Sequence, residues 1–163
     1  MQRLIEAHGL ASSQSLLLRG SGGMAAAVGA AFRDLGFEAG TVVARNANTG
    51  RALAERLGYR HLEEPGSATA DVLVNVTPIG MAGGPEAHDL SFGEAAISQA
   101  QTVFDVVAMP SETPLIAAAR AAGTEVITGA QVIALQAAEQ FERYTGVRPT
   151  AEQIAAASAV SRA

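Results

Sequence analysis

The passage from Ser15-Leu16-Leu17-Leu18-Arg19 into Gly20-Ser21-Gly22-Gly23-Met24-Ala25 constrains this chain more than any other stretch. An apolar run of strand length enters a glycine turn, and a run of small residues of helix length leaves it. Gly20, Gly22 and Ala25 satisfy G-x-G-x-x-A in that strand-to-helix context. The first glycine of such a turn permits the tight reversal, the second lets backbone amides approach a diphosphate, and the small third residue lets the helix lie close to the strand. The helix N-terminus adds free N–H groups and the positive end of its dipole. The expectation is a dinucleotide-binding turn in which Gly20, Ser21, Gly22, Gly23 and Met24 surround a pyrophosphate. The plainer alternative is a strand-to-helix turn that uses glycine only for positive φ.

Strand-like and helix-like runs alternate along the rest of the chain. Ser15 to Arg19 precedes Met24 to Leu35, Thr41 to Ala44 precedes Thr49 to Leu57, and Tyr59 to Leu62 forms a short third strand. Asp71 to Asn75 leads into a loop, Val103 to Val107 precedes Pro114 to Ala122, and Glu125 to Ile127 precedes Ala130 to Tyr144. Such alternation with short connections predicts right-handed crossovers and an α/β, Rossmann-like, doubly wound parallel sheet of about six strands in the order 3-2-1-4-5-6. Three segments are expected: a connector helix over 1–14, the nucleotide-binding domain over 15–149 and an Ala-rich helix over 150–163. Two Gly/Pro-rich loops, 77–90 and 108–114, follow strands directly, where ligand-contacting loops of such sheets sit.

The second strand bears on which nucleotide. NAD-binding versions carry Asp or Glu about 20 residues beyond the glycines, where the carboxylate accepts from the ribose hydroxyls. Here Thr41-Val42-Val43-Ala44-Arg45-Asn46 places Arg45 and Asn46 in that position. A guanidinium grips a 2′-phosphate and stacks on adenine, and Arg51 is a second candidate about a turn into the next helix, so NADP is the expected cofactor. A solvated charge at a strand end remains the alternative for each arginine.

Bulk properties close off other classes. The 163 residues suit one domain, and 48% apolar content with 4% aromatic residues suits helices packed closely on a buried sheet. A net charge of −5 with no basic cluster speaks against nucleic acid. With no Cys there is no disulfide or thiolate metal site, and no apolar run reaches the roughly 18 residues of a membrane span. Residues 1–9 do not read as a signal peptide, so a soluble, cytoplasmic chain is expected. His8, His61 and His88 lie far apart and are expected at the surface without a metal. Asp105, in an apolar strand, is expected to bond backbone amides of the 77–81 loop, and Ser111 to Thr113 are expected to cap the helix that begins at Pro114.

Five stretches taken in series resemble one family. GSGGMA, ARN, DVLVNVTPIGM, FDVVAMPSETPL and GAQVIALQAAEQFERYTG look like the carboxyl-terminal NADP-binding domain of the shikimate dehydrogenase family, from about residue 15 to 149. VNVTPIGMAGG and FDVVAMP are closer to its shikimate dehydrogenase-like branch. The resemblance implies an oxidoreductase in which hydride passes between NADP(H) and a cyclic hydroxy acid such as shikimate or quinate. It also implies a Lys and Asp pair that handles the proton from an amino-terminal domain outside these residues. All eleven basic residues here are Arg and none is Lys. The chain by itself is therefore expected to bind nucleotide without turning over, with 1–14 a remnant of the interdomain region and an exposed cleft face that favours a homodimer.

By position, the resemblance assigns Gly20, Gly22 and Gly23 to the diphosphate, and Arg45 with Arg51 to the 2′-phosphate. Asn75, Thr77 and Met81 fall along the adenine-side ribose and nicotinamide, Gly129 near the nicotinamide, and Gln136 on substrate. Turn formation is the alternative for Thr77, core filling for Met81, and plain solvation for Gln136. Ala108 replaces a substrate-contacting Tyr, Ala26 replaces a polar residue after the turn, and Gln131-Val132 replace Gly-Met, which puts shikimate preference and cofactor affinity in doubt. A non-catalytic nucleotide-binding module and a Rossmann methyltransferase are the competing readings. The latter would want an acid where Arg45 stands.

Overall fold

A computed structural model describes residues 1–160. Leu16 to Leu18, Val42 with Val43, Val72 to Val74 and Val103 with Phe104 are all buried. Short runs of this kind are stable only with both faces covered, which is the condition of a parallel sheet between helical layers. The strands are β1 (Leu16–Arg19), β2 (Gly40–Val43), β3 (Arg60–Leu62), β4 (Val72–Asn75), β5 (Thr102–Asp105) and β6 (Glu125–Ile127). They form one sheet in the order β3-β2-β1-β4-β5-β6, and each of its pairings is parallel.

The helices are α1 (Gln2–Ala7), α2 (Gly23–Asp34), α3 (Ala47–Leu57), α4 (Glu94–Gln99), α5 (Pro114–Ala121), α6 (Gly129–Thr145) and α7 (Ala151–Val160). Strand periodicity divides the core between two layers. Leu16, Leu18, Val42, Val74 and Phe104 join residues of α1, α2, α3 and α6 in one cluster. Leu17, Val43, Leu73 and Val103 join Ala96 and Ile97 of α4 and Leu115, Ile116 and Ala119 of α5 in the other. Burying a side chain such as Leu17 or Ile116 is worth about 2 kcal/mol. Gly29 of α2 lets the first layer close: a Cβ there would come within 2.5 Å of Leu57 and 3.1 Å of Leu18.

The amino ends of the strands are stapled by Asp71, whose carboxylate accepts from the Ser15 amide and hydroxyl and from Gln101. These bonds hold its carboxyl below the usual range, the Ser15 hydroxyl contributing most. The carboxyl ends are staggered into one row, with Arg19 in register with Val43 and Asn75, and Asn75 with Asp105.

The order and the six strands agree with the sequence expectation, as does the short third strand. Helix α4 departs from it, because residues 94–99 carried no assignment. This helix is six residues long and buries only Ala96 and Ile97, too brief a pattern for a helical period to register. The histidines also depart. His88 is exposed, but His8 and His61 are half-buried and bonded, His8 Nδ1 to Glu125 at 3.0 Å and His61 Nε2 to the Ala44 carbonyl at 3.2 Å. Among the described residues no group of His, Cys, Asp or Glu is arranged to hold a metal, and no helix is long and apolar enough to cross a membrane.

Candidate functional site

The turn after β1 has the form its glycines predict. Gly20 is buried at φ +131, donates its amide to the Val43 carbonyl and has its α-carbon against Val76, so a Cβ would meet Val76 Cγ2 at 2.8 Å and the Val76 carbonyl oxygen at 3.1 Å. Gly22 and Gly23 are exposed, and a Cβ on either would enter open space. Ala25 is fully buried at the close contact of α2 with the sheet. Asn46 caps α3 and Thr113 caps α5 through side-chain oxygens, but no side chain caps α2. Its first N–H groups are free for an anion, and exposed Met24 lies on its first turn. An open glycine cradle and free amides fit a dinucleotide diphosphate. Ser21 lies beside this cradle, its hydroxyl 2.7 Å from that of Thr49.

At the end of β2, Arg45 is exposed, and its guanidinium is held in a two-pronged pair with Glu86, Nη1 to Oε1 and Nη2 to Oε2 both at 3.2 Å. Asn46, also exposed, accepts the amides of Asn48 and Thr49 through its side-chain oxygen as the α3 cap. Arg51 is exposed, 3.9 Å from Glu63. Arg19, unmarked by the sequence reading, ends β1 with its guanidinium on Glu64 at 3.2 Å and on the Ser91 carbonyl. Burial lowers its pKa and neighbouring Arg45 lowers it further, while Glu64 and Glu86 oppose the shift.

The loop after β4 is organised from beneath. Asn75 is fully buried and donates to the Ile79 carbonyl at 3.2 Å and to Asp105 at 3.0 Å. Its side-chain oxygen accepts from the Thr77 amide at 3.1 Å and hydroxyl at 2.6 Å. Both donor positions and the acceptor are used inside the protein, so the Asn75 side chain shapes the loop from beneath. The Thr77 hydroxyl, committed to Asn75 and to the Ile79 amide, has the turn-forming role that was its alternative. Met81 is 43% exposed, so it does not fill the core.

Asp105 also differs from its expected part. It accepts from Asn75, from the Val107 amide at 3.0 Å and from the Thr113 hydroxyl at 2.7 Å, and so reaches the 77–81 loop only through Asn75. Burial pushes its carboxyl above the usual range, and the three donors oppose that shift. Gly129 opens α6 under the β5 loop, where a Cβ would lie 2.3 Å from the Val107 carbonyl oxygen. Its bareness serves backbone packing. Gln131 reaches back to the Thr128 amide and Val132 is in the core, so these two replacements hold the start of α6.

Along α6 two faces separate. Ile133, Ala134, Ala137, Ala138 and Phe141, with Ala108 and Met109, line an apolar cavity of about 700 Å³ shared with α7. Gln136 is exposed on another face, in a shallow polar depression with Glu139, Gln140 and Arg143. It therefore does not share the apolar stripe of Ala137 and Ala138.

Known proteins share this arrangement. No family model matches the chain. The shikimate dehydrogenase-like protein of Haemophilus influenzae is 51% identical over 160 residues, 98% of this chain and 59% of that protein. A solved structure of a shikimate 5-dehydrogenase-like protein gives a TM-score of 0.96 at 51% identity, over 99% of this chain and 60% of the other. Quinate dehydrogenase of Corynebacterium glutamicum in complex with NAD gives 0.84 at 29% identity, over 98% of this chain and 60% of that one. Shikimate 5-dehydrogenase of Thermus thermophilus in complex with NADP(H) and shikimate gives 0.78 at 29% identity, over 98% and 59%. The chain thus spans about 60% of the length of the relatives it matches. With this identity across nearly all of its residues, and with the Rossmann-like sheet of those structures, the chain is homologous to the shikimate dehydrogenase family over the carboxyl-terminal portion of its members.

Proposed function

We propose that this chain is the NADP-binding part of a shikimate dehydrogenase-like oxidoreductase, which moves hydride between NADP(H) and a cyclic hydroxy acid of the shikimate or quinate class. The observation that carries the reading is the uncapped amino end of α2 beside an open glycine cradle, with Arg45 at the adjoining strand end. Gly20 keeps the turn tight, while Gly22, Gly23 and the first amides of α2 hold the diphosphate, with Ser21 and Met24 at its edge. Arg45 takes the 2′-phosphate, and Arg51 adds positive charge from α3. The Arg45 side chain offers a planar fork that a carboxylate at this position would lack. Met81 and the turn built by Asn75 and Thr77 border the nicotinamide side, and Gly129 sets the start of α6 there. Gln136, on a different face of α6 from the Ala108 cavity, is offered to substrate only as its exposed polar group.

NADP supplies the hydride acceptor. The residues described here bind and orient, and they offer no pair of groups for moving the substrate proton. That step belongs to the further length present in the relatives, so these 163 residues are expected to bind nucleotide without turnover. Ala108 leaves an apolar opening and no hydroxyl on its side of the cavity, which keeps quinate and related acids alongside shikimate as candidates. The exposed apolar face of α6 supports a homodimer when nothing else covers it, and the cysteine-free composition suits the cytoplasm.

Calorimetric titration tests the reading. NADP is expected to bind more tightly than NAD, and Arg45→Ala to remove that difference. Equal affinity of the unaltered chain and Arg45→Ala for NADP would overturn the assignment of Arg45.

A further inference from the structure

Glu86 belongs to the loop after β4, yet its carboxylate lies on the guanidinium at the end of β2 and takes both outer nitrogens of Arg45. This is the two-pronged geometry in which a guanidinium also holds a phosphate, so the two anions would compete for one fork. The position of Glu86 does not depend on the ion pair alone, because its carbonyl accepts the Gly80 amide at 2.9 Å and the Asp89 amide at 3.2 Å. Of the other arginines considered for this side, Arg19 is committed to Glu64 and Ser91, while Arg51 is exposed and 3.9 Å from Glu63, so Arg45 is the one held in a two-pronged pair. We propose that Glu86 is a specificity-determining residue, a built-in counter-anion that competes with the 2′-phosphate for Arg45 and restrains the preference for NADP over NAD.

The proposal rests on the reading of Arg45 as the phosphate partner. A 2′-phosphate must displace the carboxylate and then remain close to it, at a cost in like-charge repulsion. A ribose carrying two hydroxyls meets no such repulsion, and a hydroxyl donates to a carboxylate. Glu86 therefore weakens NADP binding while leaving NAD binding unaffected or slightly stronger.

The test is calorimetry with NADP and NAD on the full chain, Glu86→Gln, Arg45→Ala and the double variant. Glutamine keeps the volume and the main-chain bonds and removes the charge. Glu86→Gln is expected to tighten NADP about fivefold, the scale of an exposed ion pair, and to leave NAD within about twofold. A smaller gain is expected when Arg45 is already alanine, because competition for the guanidinium is then gone and only repulsion remains. Glu86→Ala is expected to act in the same direction, which separates loss of the charge from any new bond made by the amide. If the unaltered chain prefers NADP and Glu86→Gln leaves NADP affinity unchanged or weaker, the proposal fails and the reading of Arg45 stands. If Arg45→Ala binds NADP as well as the unaltered chain does, the reading of Arg45 fails and takes the proposal with it.

Discussion

Three glycines in one turn are constrained by different things. Gly20 needs its positive φ and has no room for a Cβ, because Val76 stands against it from the neighbouring strand end. Gly22 has φ −80 and open space before it, so only a ligand would object to a side chain there. Gly20→Ala is accordingly expected to cost about 3 kcal/mol of stability from backbone strain and overlap. Gly22→Ala, at a helix N-cap, is expected to cost no more than about 1 kcal/mol while lowering nucleotide affinity severalfold. Urea midpoints and nucleotide titration on the two variants check the contrast, and a Gly22→Ala protein with unchanged affinity would remove Gly22 from the cradle. At the same scale, Arg45 was legible from its place after β2. Glu86 was not, since an acid in a Gly/Pro-rich loop of 14 residues has no sequence spacing that ties it to β2.

At the level of elements, the ends of β4 and β5 and the start of α5 are joined through one buried carboxylate. Asp105 collects donors from Asn75, Val107 and Thr113, so the β4 loop and the α5 cap depend on each other. Its raised pKa has a definite sign in stability. The folded protein holds this proton more tightly than the unfolded chain, so the group's contribution is complete below about pH 4 and is lost as pH rises through the raised folded value. Asp105→Asn cannot ionise. Its stability relative to the unaltered protein is therefore expected to improve as pH rises from about 4 and then level off. Urea midpoints across a pH series measure this, and an Asp105→Asn protein that stays level with or loses ground to the unaltered protein as pH rises would argue against burial as the dominant cause of the shift. The sequence placed Asp105 in an apolar strand and so identified it as structural. Its partners depended on the β4–β5 register, which local pattern does not encode.

For the whole molecule, the notable surface is the apolar one along α6. Met109, Ile133, Phe141, Tyr144 and Val147 are all at least half exposed. Exposed apolar groups gathered on one side and bordering a cavity mark a surface that something covers. The relatives are longer than this chain by a wide margin, which makes their remaining length a natural occupant. By itself the chain is expected to self-associate with rising concentration, and Phe141→Glu to shift it towards monomer. Light scattering over a concentration series decides this, and a monomer at every concentration would set the homodimer aside.

The sequence alone determined the class of fold, the order of the strands and the place of the glycine turn. Those follow from local causes: strand-length apolar runs buried on both faces, the handedness of crossovers, and backbone freedom at Gly20. It also located Arg45, because position after a strand and distance from the turn are both read along the chain. What only the tertiary structure decided is how side chains at neighbouring strand ends share their hydrogen-bonding capacity. Asn75 turned inward, Asp105 became a hub, and Arg45 acquired Glu86, since each outcome depends on which polar groups the sheet brings within about 3 Å of one another. The glycine turn and Arg45 were thus legible along the chain, and the contact that the 77–90 loop makes with Arg45 through Glu86 was not.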